Sequence, residues 1–136
     1  MRTVFRTGAH TKHRLLFHIV FVPKYRRKIL RQDLAVRLKK LFWEGCQIND
    51  WAIHQLEILP DHVHLLIQLN PVDTVAGTVQ ILKGGSSKVI RKEFPELEEF
   101  LWGDSLWADG YFVETVGRAT ETAIRRYLEN QQNKQV

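Results

Sequence analysis

Two histidines separated by one apolar residue stand in the run His62-Val63-His64-Leu65-Leu66-Ile67-Gln68-Leu69. In an extended strand, residues i and i+2 point the same way. Both imidazoles therefore project from one face, with Leu66 and Gln68, while Val63, Leu65, Ile67 and Leu69 line the other. Side-by-side imidazoles suit joint ligation of one metal ion. Two ligands hold a metal poorly, so at least one more must come from elsewhere in the chain. A candidate lies near the carboxyl end, where Tyr127 and Gln131 are four residues apart and so share one face of a helix. The amide oxygen of Gln131 could complete a His-His-Gln set. The Tyr127 hydroxyl, once assisted by a metal or base, is a nucleophile. Asp61, beside the pair, suits either a carboxylate partner for a ligand imidazole or an exposed turn. Without a metal, the pair reads as two half-exposed strand histidines, and Tyr127 as an amphipathic packing residue.

The elements that must position these groups follow from periodicity and punctuation. Arg14 to Val22 is rich in β-branched and aromatic residues and is closed by Pro23, which predicts a strand. Asp33 is a candidate cap for a helix carrying Leu34, Leu38, Leu41 and Phe42 and ending near Gly45 or Asn49. Trp51 to Leu59 and His62 to Leu69 read as strands joined tightly at Pro60-Asp61. Pro71 and Asp73 open a helix reaching about Phe94, with Val75, Val79, Leu82, Val89 and Ile90 as its stripe. Gly84-Gly85 is a weak point where a kink or a close approach would fit. Tyr111 to Val116 is a fourth strand, and Thr120 can cap a last helix to about Asn133, docked by Ile124 and Leu128. This order predicts one α+β domain over residues 1–136. Its fold is a ferredoxin-like split βαβ with a four-stranded antiparallel sheet, two helices on one face, and an extra C-terminal helix carrying the tyrosine.

Composition narrows the setting. A chain of 136 residues with 44% hydrophobic and 26% charged residues supports a single core and excludes wholesale disorder. One cysteine, Cys46, excludes an intrachain disulfide and a cysteine metal cluster within one chain. The longest apolar run, Leu15 to Val22, is too short to span a bilayer, and no apolar signal core follows Met1. These features predict a soluble protein of a reducing, cytoplasmic compartment with no membrane partner. Residues 1–40 hold twelve basic groups and one acid, whereas Glu93 to Glu121 hold eight acids and one base. That asymmetry favours a polyanionic partner over a merely solvated surface once phosphate neutralisation is considered. Lys24, Tyr25, Arg26, Arg27 and Lys28 combine cations with a ring suited to stacking on unpaired bases. Lys83, Ser86, Ser87 and Lys88 could meet a backbone along the second long helix. Trp102 and Trp107 read as core or dimer-packing residues, and His10, His13, His18 and Cys46 receive no role.

Taken together, these residues resemble the single-tyrosine transposases of minimal bacterial insertion sequences, the insertion sequence 200/605 class. The resemblance rests on Pro60-Asp61-His62-Val63-His64-Leu65-Leu66, similar to that class's histidine–hydrophobic–histidine (HUH) motif. It extends from Val22-Pro23-Lys24-Tyr25-Arg26-Arg27 through Lys83-Gly84-Gly85-Ser86-Ser87, Leu101-Trp102-Gly103, Ser105-Leu106-Trp107 and Gly110-Tyr111-Phe112 to Tyr127 and Gln131. The class often has an alanine in place of one of the two glycines. The resemblance implies cleavage and rejoining of single-stranded DNA at element ends that fold into short hairpins. It implies His62, His64 and Gln131 as ligands of a divalent ion, usually magnesium or manganese, although two imidazoles and an amide also suit zinc. It implies Tyr127 as the nucleophile that forms a 5′-phosphotyrosine and frees a 3′-hydroxyl. A homodimer with active sites shared between its subunits is also implied. Three other readings stand beside it: a domesticated relative that processes repeated palindromes, a non-catalytic nucleic-acid-binding module, and a metal-dependent hydrolase that would tolerate loss of Tyr127.

Overall fold

The computed structural model of the chain describes residues 5–8, 12–117 and 125–130. A two-residue pair, β1 (Arg6–Thr7) and β2 (Lys12–His13), precedes the main sheet. The rest follows the expected succession: β3 (Leu15–Phe21), α1 (Gln32–Ile48), β4 (Ala52–Leu59), β5 (His62–Leu69), α2 (Val75–Glu93), the short α3 (Glu98–Leu101) and β6 (Phe112–Thr115). Residues 125–130 are helical. The four long strands form an antiparallel sheet in the order β4-β5-β3-β6, which puts the histidine strand second from one edge. Among the described residues no helix is long and apolar enough to cross a membrane.

One face of the sheet carries the core. Ile19 and Phe21 of β3 and Val63, Leu65, Ile67 and Leu69 of β5 join Leu34, Leu38, Phe42 and Cys46 of α1 and Val79, Leu82 and Ile90 of α2. Burial drives the Cys46 thiol up to about 12, so it is an inert apolar filler at neutral pH. The core continues past α2 into Leu97, Leu101, Leu106 and Trp107. Trp107 lies edge-on to Phe21 at 4.9 Å, and its indole N–H donates to Ser86 Oγ at 3.0 Å. Trp102, by contrast, is 85% exposed. It occupies a left-handed backbone position (φ 51°) that ends α3, so it does not join Trp107 in the core.

β4 keeps its apolar residues inward through an irregularity. The register shifts between Ile53 and Gln55, so Ile53 and Leu56 both reach the core although their spacing is odd. Without the bulge, simple alternation would send one of them to the opposite face. The helix starts differ from expectation. Asp33 lies in the first turn of α1, behind Arg31 as cap, where its charge complements the helix dipole. α2 is capped by Thr74, whose hydroxyl accepts from the Gly77 N–H at 3.0 Å, while Asp73 closes the preceding turn on Asn70 N–H. α2 runs unbroken through Gly84-Gly85.

Candidate functional site

The sheet face opposite α1 and α2 is mixed, with the apolar cluster of Leu16, Leu66 and Val116 beside polar side chains that are largely buried. β5 contributes His62, His64, Leu66 and Gln68. Across from it, Glu57 of β4 pairs with His64, and His18 of β3 pairs with Leu66. His18, His54, Glu57, His64 and Gln68 are all under 9% exposed. Buried polar groups must be partnered, and here they partner one another. Glu57 accepts from Gln55 Nε2 at 2.9 Å, and His54 Nε2 lies 2.8 Å from Gln68 Oε1.

The His62 and His64 rings meet edge to face at 4.8 Å between centroids, as strand neighbours should. Asp61 Oδ1 lies 2.6 Å from His62 Nδ1, so the carboxylate accepts from Nδ1–H and leaves Nε2 of His62 as the electron-pair donor. Asp61 is thus a partner of the pair. Burial would raise its carboxyl pKa, but the His62 hydrogen bond and the charges of His62 and Arg26 together hold it lower than usual. Burial, with the neighbouring His62 and His18 charges, pushes His64 down to about 4. At neutral pH it is therefore an uncharged imidazole, the form that binds metals. Among the described residues no group of three or more His, Cys, Asp or Glu side chains is placed to hold a metal. The pair therefore fits a divalent ion as two nitrogen ligands in need of a third. Gln131, the expected third, lies outside the described residues, as do Ile124, Thr120 and His10.

Tyr127 reaches the pair from its own chain. Its ring centroid is 5.6 Å from that of His64, and the side chain is half exposed. Leu128 beside it is fully buried. Arg125, two residues earlier, ties the segment to β4, with Nη2 donating to His54 Nδ1 at 3.2 Å and Nη1 to His54 O at 3.5 Å. A guanidinium only donates, so His54 accepts at Nδ1 and donates from Nε2 to Gln68. The sequence marks Arg125 only as a neighbouring charge, because its partner on β4 is invisible until the segment is folded down.

The basic stretch forms a turn beside this site. Tyr25 and Arg26 both adopt left-handed backbone (φ 60° and 50°), a costly conformation for residues with side chains. Two polar contacts hold it: Tyr25 Oη donates to Asp104 Oδ2 at 2.8 Å, and Arg26 Nε donates to Asp61 Oδ2 at 3.2 Å. Arg26 thereby braces the carboxylate that orients His62. Lys24 sits 3.7 Å from Asp104, whereas Arg27, Lys28 and Lys88 are exposed. Lys83 is turned inward. Its ammonium donates to Ala108 O at 2.8 Å and Gly110 O at 2.6 Å, which closes the turn before β6. Burial lowers its pKa, against the opposing charge of Asp109.

Residues 11–131 match the family model described as IS200-like transposase. The chain is 33% identical over 130 residues to the ISDra2 transposase TnpA of Deinococcus radiodurans, covering 96% of this chain and 93% of that one. It is 32% identical over 123 residues to the transposase for insertion sequence element IS200 of Salmonella typhimurium, covering 90% and 80% respectively. A solved transposase structure from Deinococcus radiodurans superposes with a TM-score of 0.77 at 33% identity, over 93% of this chain and 97% of that one. A REP-associated tyrosine transposase bound to a REP hairpin shares the fold, with a TM-score of 0.59 at 11% identity over 90% of this chain and 68% of that one.

The depressed His64 pKa has a consequence for the chelated protein. Between pH 6.5 and about 4 the unfolded chain takes up a proton on this residue that the folded chain refuses. Stability should therefore fall as pH drops through that window, by on the order of 1.4 kcal/mol per pH unit from this group, and level off below it. Urea unfolding of wild type and His64→Ala in chelator would measure the difference in slope. Equal slopes would mean that His64 titrates normally.

Proposed function

The chain belongs to the IS200-like transposases, and from that membership we propose that it cuts and rejoins single-stranded DNA at hairpin-bearing ends, with Tyr127 as nucleophile. The observation that carries this reading is the 5.6 Å approach of the Tyr127 ring to His64, beside two imidazoles that a carboxylate and a histidine neighbour orient. The βαββαβ order of the long elements supports reading the fold as ferredoxin-like, with the tyrosine segment as its addition.

Tyr127 Oη would attack the scissile phosphorus, form the 5′-phosphotyrosine and release a 3′-hydroxyl. The phosphodiester energy stays in the adduct, so a second 3′-hydroxyl can displace tyrosine without a nucleotide cofactor. His62, His64 and Gln131 would hold a divalent ion, magnesium or manganese, which supplies polarisation of a non-bridging phosphate oxygen. Arg125 and Leu128 would fix the direction from which the phenol approaches. Arg27 and Lys28, with Lys24, Tyr25, Arg26 and Lys88 nearby or along α2, would contact backbone and unpaired bases. Lys83 would serve that surface indirectly, by holding the 108–110 turn. The four exposed residues of β6 leave an open sheet edge that a second copy could pair with to form a homodimer.

Tyr127→Phe should leave folding and DNA affinity unchanged while removing the adduct and lowering cleavage by about three orders of magnitude or more. A 3′-labelled hairpin strand run on denaturing gels measures both, and adduct persisting in the variant would assign the nucleophile elsewhere.

Replacing Arg27 and Lys28 by alanine should flatten the log–log salt dependence of single-strand binding by about 0.7 for each phosphate that is no longer neutralised. Filter binding across salt concentrations tests this, and an unaltered slope would take the turn out of the interface.

We take the site as shared between chains, as the family resemblance implies, with the Tyr127–His64 approach made across the dimer as it is within one chain. A refolded mixture of Tyr127→Phe and His64→Ala should therefore recover cleavage at up to about half the wild-type sites. Heterodimers that stay inactive would assign each tyrosine to its own chain's histidines.

A further inference from the structure

His18 has no role legible in the sequence, yet it sits at the centre of a polar chain that crosses three strands. Its Nδ1 lies 3.1 Å from Glu114 Oε1 on β6, and its Nε2 lies 3.2 Å from His64 Nδ1 on β5. Sheet register builds this geometry. Glu114 is directly opposite His18 across the β3–β6 pair, and His64 is the diagonal neighbour of His18 across β3–β5. The two rings are nearly parallel, 8° apart with centroids at 5.4 Å, and Phe112 closes against His18 edge-on at 6.0 Å. Both histidines are buried, so neither can exchange these partners for water.

We propose that Glu114 and His18 are positioning residues that fix the tautomer and ring orientation of His64, so that its Nε2 is presented as a metal ligand. This rests on the metal reading above and follows from the donors and acceptors along the chain. A carboxylate only accepts, so His18 must carry its proton on Nδ1. A neutral imidazole has one N–H, so His18 Nε2 is an acceptor. His64 must then carry its proton on Nδ1 and donate it to His18, which leaves a lone pair on its Nε2. A free imidazole in water favours the opposite tautomer, with the proton on the nitrogen needed for ligation. Asp61 imposes the same state on His62 directly. The two ligands thus reach one condition by separate routes, one through a neighbouring carboxylate and one relayed through a second ring. Support of this kind around a metal ligand is worth about 10–100-fold in affinity.

Histidine nitrogen NMR of the chelated protein at neutral pH, combined with Mn2+ titration, tests the proposal. Wild-type His64 should appear as the Nδ1–H tautomer. His18→Phe, which fills the space without an acceptor, should lose that state and weaken Mn2+ binding by about 10–100-fold. His18→Gln supplies an amide oxygen in reach of His64 Nδ1–H and should recover most of both signals, which a merely space-filling role would not produce. Glu114→Ala, at a half-exposed edge position, should mix the tautomers of both rings and carries the test should His18→Phe fail to fold. An Nε2–H proton on wild-type His64, or undiminished Mn2+ affinity in folded His18→Phe or Glu114→Ala, would overturn the proposal. A wild type that shows the Nδ1–H tautomer yet takes up no Mn2+ would overturn the ligand role itself and, with it, the metal reading. The NMR signal separates that failure from a failure of the relay.

Discussion

β5 is hydrogen-bonded along both edges, with Glu57 opposite His64 on one side and Val20 opposite it on the other, and its two faces serve two different interiors. Val63, Leu65, Ile67 and Leu69 are nearly fully buried beneath α1 and α2, and Leu66, Gln68 and His64 are nearly as buried on the reverse. A slip of one residue would put two imidazoles into the apolar core and expel four aliphatic side chains from it. The cost of such a slip, several large apolar side chains at about 1.5–3 kcal/mol each, makes the register effectively unique. The core therefore sets where the histidines point, and the site inherits its precision from packing on the other side of the sheet.

This double use explains what was legible in the sequence. Strict period-two alternation over 62–69 marked both faces of β5, and the histidine pair, its strand and the strand boundaries followed. The long helices were equally visible in their apolar stripes. β4 was visible as a strand over Trp51 to Leu59, but its faces were not, because its bulge breaks the period at Ile53 and Gln55 and brings His54 and Glu57 to the site side. His18 and Glu114 lie 96 residues apart, and only the β3–β6 pairing gives them a relation. Lys83 looked like a phosphate contact by composition, but two backbone carbonyls at the 108–110 turn claim its ammonium. Trp102 read as core or dimer-packing, and of these its left-handed, exposed position excludes the core. Gln131 lies outside the described residues, and the role proposed for it rests on spacing and family alone.

Charge asymmetry along the chain proves to be partly an internal matter. Lys24 meets Asp104 and Arg37 meets Glu93, with the neutral Tyr25 hydroxyl also donating to Asp104. The acidic stretch also binds Arg91, through Glu98 and the Asp104 carbonyl. Pairs like Arg37–Glu93 are surface-exposed and worth little to stability on their own. They mark where the acidic stretch lies against the basic one, and Arg27 and Lys28 are among the cations that stay exposed. Net charge overstated the surface open to a polyanion, and location corrects it.

Cys46 sits in the last turn of α1, within the core, nearly solvent-free and held far from its thiolate form. As the chain's one thiol, it makes the molecule a single-channel recorder of its own breathing. A thiol-directed reagent can reach it only during excursions that open the carboxyl end of α1, so the rate of labelling counts those openings one molecule at a time. Because β5 presents its other face to the histidine site, the same clock times the lifetime of the platform on which the chemistry stands.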